Sequence, residues 1–145
     1  MQTVSQAKVS VDGVVVSQVD RALLIYLGIS EADTEELLEK FCWKVTNLRI
    51  FPDESDRLMY SCLDLDASVL VVPNFTLISD SKKGRRPTFF DAARPAAAQA
   101  LFEEFVKSLK FITAKVQIGI FGADMTIETT VRGPVNLVIE DDDLV

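Results

Sequence analysis

The stretch that most constrains this chain is Leu23-Leu24-Ile25-Tyr26-Leu27-Gly28-Ile29, an unbroken apolar run of strand length. A run without polar alternation suits a strand covered on both faces, so other layers must lie above and below it. The residues after it supply one layer. From Asp33 the period changes, and Leu37, Leu38, Phe41, Cys42 and Val45 recur at helical spacing. Asp33 is the expected N-cap, with Glu36 three residues later completing a capping box. The residues before it supply another: Val9, Val11 and Val14 to Val16 flank Asp12-Gly13, a turn dipeptide between β-branched segments that marks a hairpin.

The remainder extends this pattern. Ile50-Phe51 reads as a short strand stopped by Pro52 and the polar turn Asp53 to Arg57, and Val69 to Val72 as a second buried strand ending at Pro73. Leu101, Phe102, Phe105, Val106 and Leu109 form the apolar face of a second helix that Pro95 opens at its first turn. Val116 to Phe121, Met125 to Val131 and Val135 to Ile139 read as three further strands, separated by Gly122 and by Gly133-Pro134. The expected class is α/β: mostly antiparallel or mixed β-sheets packed with two helices, in the order ββ-(βα)2-βββ, with residues 1–145 as one domain. The acidic segment Glu140 to Asp143 reads as a solvated end.

Composition narrows the chemistry. A chain of 145 residues, 48% apolar, has material for one sizeable core. No apolar run approaches the roughly 20 residues needed to span a bilayer, and the first residues lack the basic and apolar regions of a secretory signal. A cytoplasmic location without a membrane partner is expected. Histidine is absent altogether, which excludes Ser-His-Asp and Cys-His catalysis and denies zinc its commonest nitrogen ligand. Cys42 and Cys62 lack C-x-x-C spacing and read as buried thiols. No metal and no cofactor is called for. The formal net charge is -7, yet Lys82-Lys83-Gly84-Arg85-Arg86 sets four positive charges in five residues. By charge alone that run fits a solvated loop and a phosphate-contacting loop equally well.

Several segments, taken in order, carry a resemblance. Val71-Val72-Pro73-Asn74-Phe75-Thr76-Leu77 resembles a strand end that usually reads Ser-Gln-Phe-Thr-Leu, and Lys83-Gly84-Arg85-Arg86-Pro87-Thr88-Phe89 resembles the basic loop that follows it. Phe121-Gly122-Ala123-Asp124-Met125 and Gly133-Pro134-Val135-Asn136 resemble two C-terminal signatures, the second usually Gly-Pro-Val-Thr. With Val9 to Gly13 and Asn47 to Phe51, the match spans nearly the whole chain. It is to the D-aminoacyl-tRNA deacylases.

The resemblance implies a three-layer fold, a homodimer with active sites at the subunit interface, and hydrolysis of the ester that joins an amino acid to the 3'-terminal adenosine of tRNA. Asn74, Phe75 and Thr76 would form the catalytic strand end. Without a nearby base the Thr76 hydroxyl is a poor nucleophile, and taken alone the residue reads as structural; the resemblance makes it a site residue through its backbone or its hydroxyl. Family accounts favour main-chain groups and the 2'-hydroxyl of the tRNA as the reacting partners. Gly133-Pro134 alone reads as a turn. In the family its cis bond aims two carbonyl oxygens into the partner's pocket, admitting hydrogen or a D side chain and excluding an L side chain. Phe89, Phe121, Ala123 and Met125 would hold the terminal adenine, although Phe121 fits an ordinary core position as well. Lys82, Lys83, Arg85 and Arg86 would meet phosphates near the acceptor end, Arg86 serving otherwise to brace the loop. Asp124 reads as a hydrogen-bonding strut.

The pattern also breaks, and the breaks cluster. Thr3 stands where an arginine normally braces the Gly-Pro loop, Pro73-Asn74 replaces Ser-Gln, Asn136 replaces Thr, and Arg132 precedes Gly133 in place of a small polar residue. Proline removes a backbone donor and Asn is one methylene shorter than Gln. In part these changes resemble an animal-type paralogue of the family that has a trans Gly-Pro and removes L-alanine from mischarged tRNA. Relaxed stereospecificity, extending to Gly or L-Ala, is therefore expected. The alternative is a non-catalytic homologue that binds tRNA ends or nucleotides on the same dimeric scaffold, or uses that scaffold only for interaction.

Overall fold

The computed structural model describes residues 1–144. Asp12 and Gly13 both take positive φ, 50° and 77°, the conformation that a two-residue hairpin turn requires. The turn pairs β2 (Gln6–Val11) with β3 (Val14–Val19), and β2 carries β9 (Met125–Thr130) antiparallel on its other edge. These three strands form the smaller sheet, ordered β3-β2-β9.

The apolar run becomes β4 (Ala22–Leu27), inside a four-stranded sheet ordered β1-β4-β7-β8. There β1 (Gln2–Val4) is antiparallel to β4, while β7 (Ser68–Pro73) and β8 (Val116–Ile118) are parallel to it. Each parallel step needs a crossover, and each crossover contains a helix: α1 (Glu35–Asn47) and α2 (Pro95–Ile112). Two right-handed crossovers advancing in one direction across a sheet leave both helices on the same face.

Strand alternation then divides the core in two. Leu23 and Ile25 of β4 and Val69 and Val71 of β7 meet Leu38, Cys42 and Val45 of α1 and Phe102, Phe105 and Leu109 of α2. Ala22, Leu24, Leu70 and Val72 point the other way, onto Val4, Ala7, Val9 and Val19. The layers are thus helix pair, mixed sheet and smaller sheet, the three-layer α/β arrangement expected. Each fully buried Leu, Val or Phe contributes about 1.5–3 kcal/mol, and a one-residue slip of β4 would exchange the two sets.

Five details differ from expectation. The N-cap of α1 is Thr34, whose side chain accepts the Leu37 N–H at 3.4 Å; Asp33 is drawn away to accept the Ser30 N–H at 2.8 Å. Glu36 forms no capping box and pairs with Lys40 at 2.8 Å. The strand at Phe51–Pro52 (β5) is completed by an unforeseen β6 (Leu58–Tyr60), short and exposed, which gives no burial pattern to read. Residues 135–139 form no strand. They make only a bridge from Asn136 to Gln2, with bonds from the Thr3 N–H to Val135 O and from the Leu137 N–H to Met1 O, because β1 offers them only its first residues. Likewise the strand expected over Val116 to Phe121 stops at Ile118, where Gly119 turns the chain toward the Ile120–Ala123 turn.

Candidate active site

In sheets with parallel strands, ligand sites gather at the carboxyl ends. Here β4 and β7 end side by side, and the Asn74 N–H still donates to Leu27 O at 2.8 Å. The chain then tightens into a 3-10 turn over Phe75–Leu77, closed by the Ile78 N–H to Phe75 O at 3.0 Å. Asn74 caps it: its Oδ1 accepts from the Thr76 N–H at 3.2 Å and from the Thr76 hydroxyl at 2.5 Å. As the first residue of the turn, Phe75 keeps an N–H with no internal acceptor. The turn sits close on the end of β4, where a Cβ on Gly28 would come within 3.0 Å of Leu77 Cβ. Phe75 is 58% exposed and meets Phe89 edge to face at 5.2 Å, so it lies outside the core.

Beside this turn stands the basic loop. Asp80 and Thr88 exchange N–H to carbonyl bonds, both 2.9 Å, and Asp80 Oδ1 also accepts the Lys82 N–H at 2.8 Å. Between these pins Lys82, Lys83, Arg85 and Arg86 are all exposed, and among the described residues none is in an ion pair. Four unneutralised cations on a pinned loop make a local positive field on an otherwise acidic molecule.

The 121–125 segment divides. The Gly119 N–H donates to Val71 O at 2.8 Å, which ties it to β7. A Cβ on Gly119 would lie 2.7 Å from Met125 Sδ and 3.5 Å from Pro73 Cδ, so Met125 packs beside the strand end that bears Asn74. Ala123 closes the turn through its N–H to Ile120 O at 3.2 Å. Phe121 turns instead toward α2, its ring centroid 6.0 Å from that of Phe102. No hydrogen bond or ion pair gives the Asp124 side chain a strut role among the described residues. No group of three or more His, Cys, Asp or Glu side chains is placed to hold a metal among them either.

Gly133 and Pro134, joined by a cis peptide bond, are exposed. The residues after them are tied to β1, with Thr3 N–H to Val135 O at 3.2 Å and Gln2 Nε2 to Asn136 Oδ1 at 2.6 Å. Strand register fixes where this leaves them. Thr3 pairs with Leu23, four residues back from Leu27 on β4, and the 135–137 segment lies three strand spacings from β7. The separation from Asn74 is roughly 13 Å along the strands and roughly 14 Å across them. One chain does not bring its own Gly133-Pro134 to its own Asn74-Phe75-Thr76.

The model of the D-Tyr-tRNA(Tyr) deacylase family matches residues 1–140. The chain belongs to this family. It is 44% identical over 140 residues to a D-aminoacyl-tRNA deacylase of Caldicellulosiruptor saccharolyticus, covering 97% of this chain and 94% of that one. It is likewise 44% identical over 140 residues to the D-aminoacyl-tRNA deacylase of Aquifex aeolicus, covering 97% and 95%. A solved structure described as c-Myc DNA Unwinding Element Binding Protein superposes with a TM-score of 0.87 at 34% identity, covering 92% of this chain and 91% of that one.

Within this deacylase-family fold the chain unites the Asn74–Leu77 turn, Phe89 and the basic loop, with Met125 close behind. Gly28 and Gln2, unnoticed in the sequence, hold the turn and the Gly133-Pro134 segment in place. Neither carried a signal: one lies inside an apolar run and the other near the chain start, and only strand register gives them meaning. A cavity of about 560 Å³ meets this region at Leu27, Gly28, Leu77 and Ile78.

Proposed function

We propose that this protein hydrolyses the ester of D-aminoacyl-tRNA, and of glycyl- or L-alanyl-tRNA through a relaxed chirality filter, at sites shared between two copies. The observation that carries this is the exposed, side-chain-capped turn at Phe75, whose N–H has no acceptor within the turn, standing beside four cations that form no ion pair among the described residues. The cations meet acceptor-end phosphates, and Phe89 with Met125 receives the terminal adenine. The ester is an activated bond, so positioning and a fixed oxyanion donor supply most of what its cleavage needs. Water adds to the ester carbonyl carbon, and the Phe75 N–H donates to the oxyanion. The tetrahedral intermediate expels the ribose 3'-oxygen, which takes its proton through the neighbouring 2'-hydroxyl, leaving free amino acid and tRNA.

Chirality is screened by Gly133-Pro134 of the second copy. The register separation within one chain supports a wedge delivered from outside. Backbone carbonyls that clash with an L side chain discriminate by exclusion. Around this wedge, the arginine brace is replaced by the Thr3 N–H and the Gln2–Asn136 bond, and the strand end loses a donor at Pro73. Those replacements support a filter loose enough for the smallest L residue.

Purified protein tested for turnover of D-tyrosyl-, glycyl- and L-alanyl-tRNA decides among the readings. Cleavage of all three is expected. Strict D-only turnover would defeat the relaxed filter. Binding of tRNA without cleavage would favour the non-catalytic alternative, to which the relative named for DNA binding lends some weight.

A further inference from the structure

A single exposed apolar side chain is ordinary, and what sets Phe90 apart is its support. Its ring is 86% exposed, yet the backbone on both sides of it is tied down. Before it, the Thr88 N–H donates to Asp80 O at 2.9 Å, and across it the Ala92 N–H donates to Phe89 O at 3.2 Å. After it, the Glu31 N–H donates to Asp91 O and the Ala93 N–H to Ile29 O, both at 2.9 Å. Phe90 therefore rides a turn clamped to the foot of the basic loop on one side and to the residues after β4 on the other.

The two consecutive aromatic residues divide their tasks. Phe89 is half-buried and sets its ring 5.2 Å from that of Phe75. Phe90, its Cα only about 3.8 Å further along the chain, stands out in solvent. Lys82, Lys83, Arg85 and Arg86 precede it on the same pinned loop. A flat apolar ring held still beside such cations suits one kind of partner. Cations follow the phosphates of a nucleic acid, and an exposed aromatic face takes a base that has left the duplex, because only an unpaired base offers a free face of its own. The substrate class of the family, aminoacyl-tRNA, has such bases at its 3' end. With the terminal adenosine held beside Phe89, the nucleotide before it has to lie outside, on the side where Phe90 stands.

We propose that Phe90 is a stacking platform for the base of the penultimate nucleotide of the acceptor end, the one just before the terminal adenosine. The platform rests on the reading that Phe89 and Met125 receive that adenosine. Phe90 touches neither the ester nor the oxyanion; it grips the end by a base while the cations grip it by phosphates. A ring on a fixed turn needs little ordering on binding. Stacking tolerates any base, so the contact distinguishes an unpaired end from a duplex one and does not read sequence.

The test uses an uncharged RNA acceptor stem with its unpaired 3' end, either intact or with the penultimate base removed to leave an abasic sugar, and reads Kd with the full chain. Phe90→Ala is expected to weaken binding of the intact RNA at least fivefold and to leave binding of the abasic RNA unchanged, with Phe90→Tyr restoring the loss. Its Tm should stay where it is, because the ring buries little. Equal weakening on both RNAs, or no weakening on either, would overturn the platform. A changed subunit number in Phe90→Ala would overturn it too, assigning the ring to a contact between copies. Cleavage of D-tyrosyl-tRNA by the wild type is followed in parallel. Absent cleavage with the Phe90 effect intact would sink the esterase reading and leave the platform standing; cleavage without the Phe90 effect would do the reverse.

Discussion

Asn74 Oδ1 accepts both the backbone N–H and the hydroxyl of Thr76, at 3.2 Å and 2.5 Å. Because an N–H only donates, this fixes the orientation of the Asn74 amide. The hydroxyl proton of Thr76 is thereby committed to a neutral amide oxygen, and no histidine exists in the chain to remove it.

Thr76 is therefore expected not to act as the nucleophile. Thr76→Ala should lower kcat by less than about tenfold, whereas loss of a true nucleophile costs on the order of 10⁶. Asn74→Ala should be the more damaging change. It removes the cap, worth about 1 kcal/mol, and lets the Phe75 N–H drift; displacement of this kind costs up to about 100-fold in kcat. Single-turnover deacylation of both variants separates the two effects.

The basic loop should act on binding. Replacing Lys82, Lys83, Arg85 and Arg86 by Gln is expected to raise KM and leave kcat near its original value. Each lost phosphate contact flattens the salt dependence by about 0.7–0.9 in a double-log plot, so losing all four should reduce the slope by roughly 3. An unchanged slope would mean that the loop is only solvated. The measurement is kcat/KM against salt concentration.

Cys42 and Cys62 are buried and hydrogen bonded to Phe105 O and Thr46 O. Burial pushes the Cys42 thiol up to about 12 and the Cys62 thiol up to about 11, from an ordinary value near 9.0. Both should resist thiol reagents in the native protein at pH 8. A neutral form retained on folding stabilises fully below the unfolded pKa and is lost as pH rises through the folded one. Stability should thus decline between about pH 9 and 12, partly rescued by Cys42→Ala with Cys62→Ala. Denaturant midpoints measured across that range check the sign.

The parts of the fold visible in the sequence are those whose burial leaves a period. The hairpin at Asp12-Gly13, the run that becomes β4, and the apolar faces of α1 and α2 all have this character. What failed was short or depended on a partner. Thr34 and Asp33 are both capping residues, and only the competing Ser30 N–H decides between them. Leu58–Tyr60 is exposed throughout, and Val135 to Ile139 has strand residues with only the first residues of β1 to pair with. The candidate site follows the same rule: the Asn74–Thr76 turn and the basic loop are local and legible. The isolation of Gly133-Pro134 from that turn follows from the register of β1 on β4, which local sequence does not encode.

That isolation puts the wedge at the centre of the proposal, and mixed dimers test it most directly. One protomer carries Phe75→Pro, which deletes the proposed oxyanion donor; the other carries Gly133→Leu, which fills the pocket its wedge enters. Each homodimer should be inactive toward D-tyrosyl-tRNA. If the wedge serves the partner's site, the mixed dimer contains one intact site and should recover about half of wild-type activity. A mixed dimer as inactive as its parents, or a protein that stays monomeric, would contradict it.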